Sequence, residues 1–162
     1  MLRRSMHRGV RYLLLAAVAL VLLQAARPPR NLGQRDGPEA LGRHQKLPPP
    51  VADILGRACY DCHSDRTHYP WYANVQPMGW LIEKHVIDGK ARLNFSRFGR
   101  IDARGRAHHF DEIVQEVERH EMPLASYTWL HPEAKLTPAE KRALIDWAVE
   151  SRRAVLAAGE GG

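Results

Sequence analysis

Cysteine is nearly absent from these 162 residues: there are two, and both fall inside one pentapeptide. That excludes a disulfide-rich secreted scaffold. No stretch alternates apolar and polar residues as a half-buried strand does, so an all-α fold with long connecting loops is expected. Acidic side chains are missing from residues 1–30, which hold six arginines: Arg3, Arg4, Arg8, Arg11, Arg27 and Arg30. The other 18 of the 24 basic residues are balanced by 18 acidic ones. The formal net charge of +6 therefore flanks the N-terminal apolar run, and the rest of the chain is neutral. A neutral globular part argues against a nucleic-acid partner. The length leaves room for one ordinary domain.

Residues 12–26 are almost entirely apolar, with arginines before them and Pro28-Pro29 after. A basic start followed by an apolar run is the pattern of a secretory signal or signal anchor. The run is short for a full bilayer span, although snorkelling Arg11 and Arg27 would lengthen it. No clean small-x-small cleavage site is present after it, so residues 1–27 read as an uncleaved signal anchor or transmembrane segment. Arginines ahead of such a segment stay in the cytoplasm. The rest of a bacterial chain would then face the periplasm from the inner membrane, or lie free in the periplasm if the segment is a cleaved signal. Residues 28–49, with proline clusters at 28–29 and 48–50 and Gly33, Gly37, Pro38 and Gly42 between, read as a flexible linker. The folded domain is expected over residues 50–156.

Within it, Val51-Ala52-Asp53-Ile54-Leu55 reads as a short helix running into the cysteines. Residues 80–88 read as a second helix, with Gly89 as its C-terminal stop. Phe110, Ile113, Val114 and Val117 follow helical spacing, and Pro123 ends that helix near Met122. Thr137 as N-cap, Pro138 at the first position and Glu140 completing a capping box begin the last helix. Leu144, Trp147, Ala148, Ser151 and Val155 line one of its faces.

Cys59-Tyr60-Asp61-Cys62-His63 is a C-x-x-C-H sequence, the attachment signature of c-type haem. Two intervening residues let both sulfurs reach the two porphyrin vinyls from one helical turn. The adjacent His63 then offers its imidazole to the iron. Zinc would need two further ligands at finger spacing, which His68 and His85 do not supply. A thioredoxin-type redox pair would sit at a strand-to-helix turn, and no strand is visible. A structural disulfide across two residues is the remaining alternative.

The second axial ligand is expected to be Met122, in Glu121-Met122-Pro123-Leu124, where the proline favours an extended ligand loop. Met78, His120, His85, His109 and His131 compete with it, and core packing is the ordinary fate of a methionine. Tyr69, Trp71, Tyr72, Trp80 and Phe95 concentrate aromatic surface after the cysteines and are expected to line the haem pocket, although core packing without haem contact suits any one of them nearly as well. Trp71 and Trp80 have indole N–H groups suited to a propionate. Arg97, Arg100, Arg104 and Arg106, with Lys84, Lys90 and Arg92, suit propionates or an acidic redox partner. A solvated loop on a neutral domain is the more ordinary reading of them.

The chain resembles the bacterial haem-binding domain family of cytochrome c-like proteins. The likeness runs through Cys-Tyr-Asp-Cys-His-Ser (59–64), Tyr-Pro-Trp-Tyr (69–72), Gln-Pro-Met-Gly-Trp (76–80), His-Val (85–86), Leu-Asn-Phe-Ser (93–96), Glu-Met-Pro-Leu-Ala-Ser-Tyr (121–127) and His-Pro-Glu-Ala-Lys-Leu (131–136). It covers residues 48–153. The resemblance implies one haem c per chain, held through Cys59, Cys62 and His63, with a Met-Pro loop placed as in mono-haem cytochromes c. By analogy with cytochrome c folds, the helix at residues 51–55 should cross the last one, near Leu55 and Trp147. No reaction is implied. One-electron transfer to a redox partner protein in the periplasm or inner membrane is the leading expectation, making the protein a carrier rather than an enzyme. An open sixth position, as in a peroxidase or gas sensor, is the alternative. A haem-stapled binding module without redox work is a third.

Overall fold

The computed structural model describes residues 2–159, with side chains from residue 9 onward. Helices dominate. One isolated antiparallel bridge, Leu32 to Arg66, is the only extended pairing among the described residues, so the all-α expectation holds. The chain divides into two units. One comprises Met1–Arg30 with Tyr69–His85, the other Asn31–His68 with Val86–Gly162.

The first unit contains helix α1 (Leu2–Leu23), whose apolar side chains from Val10 to Leu23 are exposed. Among the described residues, no helix is long and apolar enough to cross a membrane. Polar contacts join its two segments. The Gln76 amide donates to Gln24 Oε1 at 2.8 Å, and the Trp80 indole donates to the Ala26 carbonyl at 2.8 Å. Arg30 donates to Asn74 Oδ1 at 2.6 Å and stands 4.1 Å over the Tyr69 ring.

The second unit holds helices α2 (Leu41–His44), α3 (Pro49–Ala58) and α4 (Tyr60–His63). Helix α5 (Met78–Arg92) runs through both units. Helices α6 (Ala103–Glu118), α7 (Ala125–Leu130) and α8 (Pro138–Gly159) complete the second. The capping box of α8 forms as expected: Thr137 N donates to Glu140 Oε2 at 2.7 Å, and Glu140 N donates to Thr137 Oγ1 at 3.3 Å. Leu144, Trp147, Ala148, Ser151 and Val155 are all buried. The α6 face is buried at Phe110 and Val117, with Ile113 and Val114 half-buried against the same core. Phe110 joins the two helices, its ring 5.4 Å from Trp147 and 5.3 Å from Phe98. A fully buried phenylalanine contributes about 2–3 kcal/mol. Helix α3 packs on α8, and Leu55 and Trp147 share the core.

Three differences from expectation have physical causes. Residues 31–47 are not a loose tether. Leu41 is buried in the core, Leu47 packs on it, and the Lys46 carbonyl accepts from the Trp147 indole at 3.0 Å. Gly89 does not stop α5, which continues to Arg92. A Cβ there would lie 2.6 Å from the Cys62 carbonyl oxygen, so glycine is needed for close approach. Helix α6 ends at Glu118 rather than near Met122. His120, with φ of 61°, turns the chain away in the left-handed region.

Candidate cofactor site

Helix α3 ends at Ala58, and Cys59 forms a corner with φ of −128° and ψ of −46°. The amides of Cys62 and His63 both donate to the Cys59 carbonyl, at 3.2 and 3.0 Å. The two sulfurs and the imidazole therefore share one helical turn, α4. Both cysteines are free thiols in half-buried residues, and Cys59 packs against the core. Burial pushes the Cys59 thiol up to about 12, with the neighbouring Cys62 adding to the rise. Burial also pushes Cys62 up to about 11, reinforced by Asp61. Neutral, poorly ionised thiols are the reverse of a thioredoxin-type nucleophile.

His63 Nδ1 lies 3.0 Å from the Leu93 carbonyl. A carbonyl only accepts, so Nδ1 carries the proton and Nε2 keeps its lone pair. Burial lowers the His63 pKa, outweighing the opposite pull of the Leu93 and Gly89 carbonyls, and favours this neutral form. Phe95 stands edge-on to both His63, at 6.2 Å, and Tyr60, at 5.5 Å. A cavity of about 230 Å³ borders Tyr60 and Phe95, with Leu41, Leu47, Arg35 and Arg43 among its walls.

The carbonyl partner of His63 is itself held. Asp65 accepts from Asn94 at 2.9 Å and Arg97 at 2.8 Å, and pairs with Lys90 at 3.0 Å. Its amide donates to Ser96 Oγ at 3.0 Å. These bonds tie the segment after Leu93 to the residues after His63. Burial alone would raise the Asp65 carboxyl, but the bonds from Arg97, Asn94 and Lys90 outweigh it and hold it down to about 2.

Met122 lies in the second unit with the cysteines, half-buried in the loop between α6 and α7. Its amide donates to the Glu116 carbonyl at 3.2 Å. Several competitors have their own partners: His120 Nδ1 meets the Glu118 carbonyl at 2.8 Å, and His109 Nδ1 meets Glu112 at 2.8 Å. Met78 and His85 belong to the first unit, as do Trp71 and Trp80. Trp71 is 79% exposed, and the Trp80 indole N–H is engaged by Ala26. Arg97 is committed to Asp65, while Arg100 and Arg104 are exposed.

Two residues that sequence reasoning passes over prove central. Asp61, only a spacer between the cysteines in the sequence pattern, uses both carboxylate oxygens. Oδ1 accepts from the His68 amide at 2.8 Å and Oδ2 from the Tyr127 hydroxyl at 2.9 Å. The only sequence signal for Tyr127 is its place in the 121–127 motif.

The arrangement suits an apolar macrocycle with an iron centre: two free thiols and a neutral imidazole held through Nδ1 by Leu93 on one turn, backed by Phe95. The profile of the haem-binding domain family matches residues 18–150, and the chain belongs to this family. Haem is accordingly its cofactor class. No curated protein and no solved structure matches the chain.

Proposed function

We propose that the chain holds one haem c and works as a membrane-tethered one-electron carrier on the periplasmic side of a bacterial inner membrane. Cys59 and Cys62 would hold the group by thioether bonds, and His63 and Met122 would ligate its iron. When bound, haem supplies a one-electron ferrous–ferric couple whose potential follows its axial ligands and burial. The observation that carries this reading is the His63 imidazole, neutral and oriented by Leu93, on the same turn as two unpaired thiols. A bond from the far ring nitrogen to a backbone carbonyl both orients an iron-binding histidine and raises its basicity. Methionine on the other side would favour electron transfer over substrate binding, because both positions on the iron are then filled. The exposed apolar face of α1 and the arginines around residues 12–26 support the tether and a periplasmic placement of residues 28–162.

The test is a visible spectrum of the full chain made with c-type maturation machinery, together with a haem stain after denaturing electrophoresis. Stained protein with low-spin bands and the ferric methionine charge-transfer band is expected. Haem that washes out under denaturation would sink covalent attachment. A high-spin spectrum with rapid carbon monoxide binding would replace the carrier reading with an open sixth position.

A further inference from the structure

We propose that the hydrogen bond from Tyr127 to Asp61 is the strut that keeps the Met122 loop on the cysteine–histidine turn and so governs how readily the sixth iron position opens. The proposal rests on the reading of Met122 as axial ligand. Its basis is the way the loop is anchored.

On one side the loop is fixed by backbone. The amides of Glu121 and Met122 both donate to the Glu116 carbonyl, at 3.0 and 3.2 Å. On the other side the chain enters α7, where the Tyr127 and Thr128 amides each donate to the Leu124 carbonyl at 3.0 Å. Only Met122, Pro123 and Leu124 span the gap, so wherever α7 is held, the Met122 side chain is held. Yet α7 buries no residue fully. Ala125 and Ser126 are exposed, and Trp129 is 83% exposed. A helix of six residues is also too short to persist on its own. Apolar burial therefore does little to seat it.

The Tyr127 hydroxyl supplies the missing link. It reaches 66 residues back in the sequence to Asp61 Oδ2, between the two cysteines. Burial, with the Asp61 charge beside it, pushes the Tyr127 pKa well above the usual phenol value, so the hydroxyl stays a donor. The ring is steadied by His131, stacked 4.1 Å away. The other Asp61 oxygen is fixed by the His68 amide, and the Asp61 carbonyl accepts from Thr67 Oγ1 at 2.7 Å. The acceptor end is thus rigid and the donor end carries the loop. Tyr127 and Asp61 are positioning residues that act through Met122.

The test uses ferric holoprotein titrated with imidazole, which competes with a loop-borne ligand for iron. Tyr127→Phe keeps the ring and its stacking and removes only the donor. Its dissociation constant for imidazole should fall about tenfold, equivalent to about 1.4 kcal/mol. Amide hydrogen exchange across residues 121–128 should quicken with it. Asp61→Ala should reproduce the effect, the double variant should add little to either, and Asp61→Asn, which keeps one of the two acceptor oxygens, should fall between Asp61→Ala and the wild type. Tyr127→Phe that retains the charge-transfer band and binds imidazole as the wild type does would overturn the strut. A wild-type holoprotein without that band would instead overturn Met122 as ligand, and the strut's purpose with it.

Discussion

The turn that carries His63 and the loop that carries Met122 are built in opposite ways. Around His63 the polar groups close on one another. Nδ1 donates to Leu93, Ser64 is fully buried with its hydroxyl on the Arg66 carbonyl at 2.8 Å, and Asp65 ties down the segment beyond Leu93. Gly89 brings α5 against the Cys62 backbone with no room for a methyl group. Around Met122 there is a half-exposed loop, a left-handed His120 and a short helix with nothing fully buried. A dense frame suits a ligand that never leaves its metal. A sparse frame steadied by a long-range bond such as Tyr127 to Asp61 suits a ligand whose grip can be tuned. In a carrier this asymmetry would fix the histidine side as the scaffold and leave the methionine side to adjust potential and access.

The largest effect should come from crowding the dense side. Gly89→Ala places a Cβ against backbone rather than a flexible side chain, so neither partner yields cheaply. A destabilisation of about 2–3 kcal/mol is expected, with a fall in melting temperature of about 5–10 °C by circular dichroism. Haem incorporation should drop in parallel, because the displaced group is the Cys62 backbone. A melt indistinguishable from wild type would show that the histidine side is looser than its contacts imply.

How much of this asymmetry is legible in the sequence divides along the same line. The C-x-x-C-H pattern, the Thr137–Glu140 cap and the α6 and α8 faces are local signals, each contained within a few helical turns, and local spacing encodes them. The strut joins positions 66 residues apart, and no periodicity announces it. Gly89 misleads because a glycine needed for close packing looks the same as one ending a helix. Residues 28–49 look like a linker by proline and glycine content. Yet Leu41, Leu47 and the Lys46 carbonyl anchor them through contacts with distant elements. Asn31 likewise donates to the Ser64 carbonyl and Thr67 Oγ1, both at 2.9 Å, and accepts from Lys90 at 2.7 Å. Long-range polar pairs in irregular segments are what composition alone hides.

The next effect in size belongs to Asp65. Its folded pKa of about 2 lies below the ordinary value of 3.8. A depressed carboxyl contributes stability that is fully present above the ordinary value and is lost as pH falls through about 4 to about 2. Solvent reaches part of the cluster, so the contribution is put at about 1–2 kcal/mol. Asp65→Asn should lower the melting temperature at neutral pH and flatten its decline in that acid window, read from melts at several pH values. An unaltered acid slope would show that other carboxylates set it. Met122→Leu ranks below this. Leucine conserves the volume, so the apoprotein should lose less than about 1 kcal/mol while the holoprotein loses its charge-transfer band entirely. Loss of stability as large as that of Gly89→Ala would erase the contrast between the two sides.

The smallest effect sharpens the contrast within the Asp65 cluster. Arg97 makes a 2.8 Å bond to Asp65, but its side chain is 55% exposed, against 26% for Lys90. An exposed ion pair is screened and must order a long side chain, which leaves at most about 0.5 kcal/mol. Arg97→Gln should therefore shift the melt barely at all at moderate salt. Lys90 also donates to Asn31, so Lys90→Gln should cost more than Arg97→Gln despite removing the same charge. Denaturant melts of the two variants at low and high salt separate the contributions. Equal losses that both vanish in high salt would mean the cluster acts only through charge. A Lys90→Gln loss that survives salt would mean it acts as a hydrogen-bonded frame, which is what holding the Leu93 carbonyl against His63 requires.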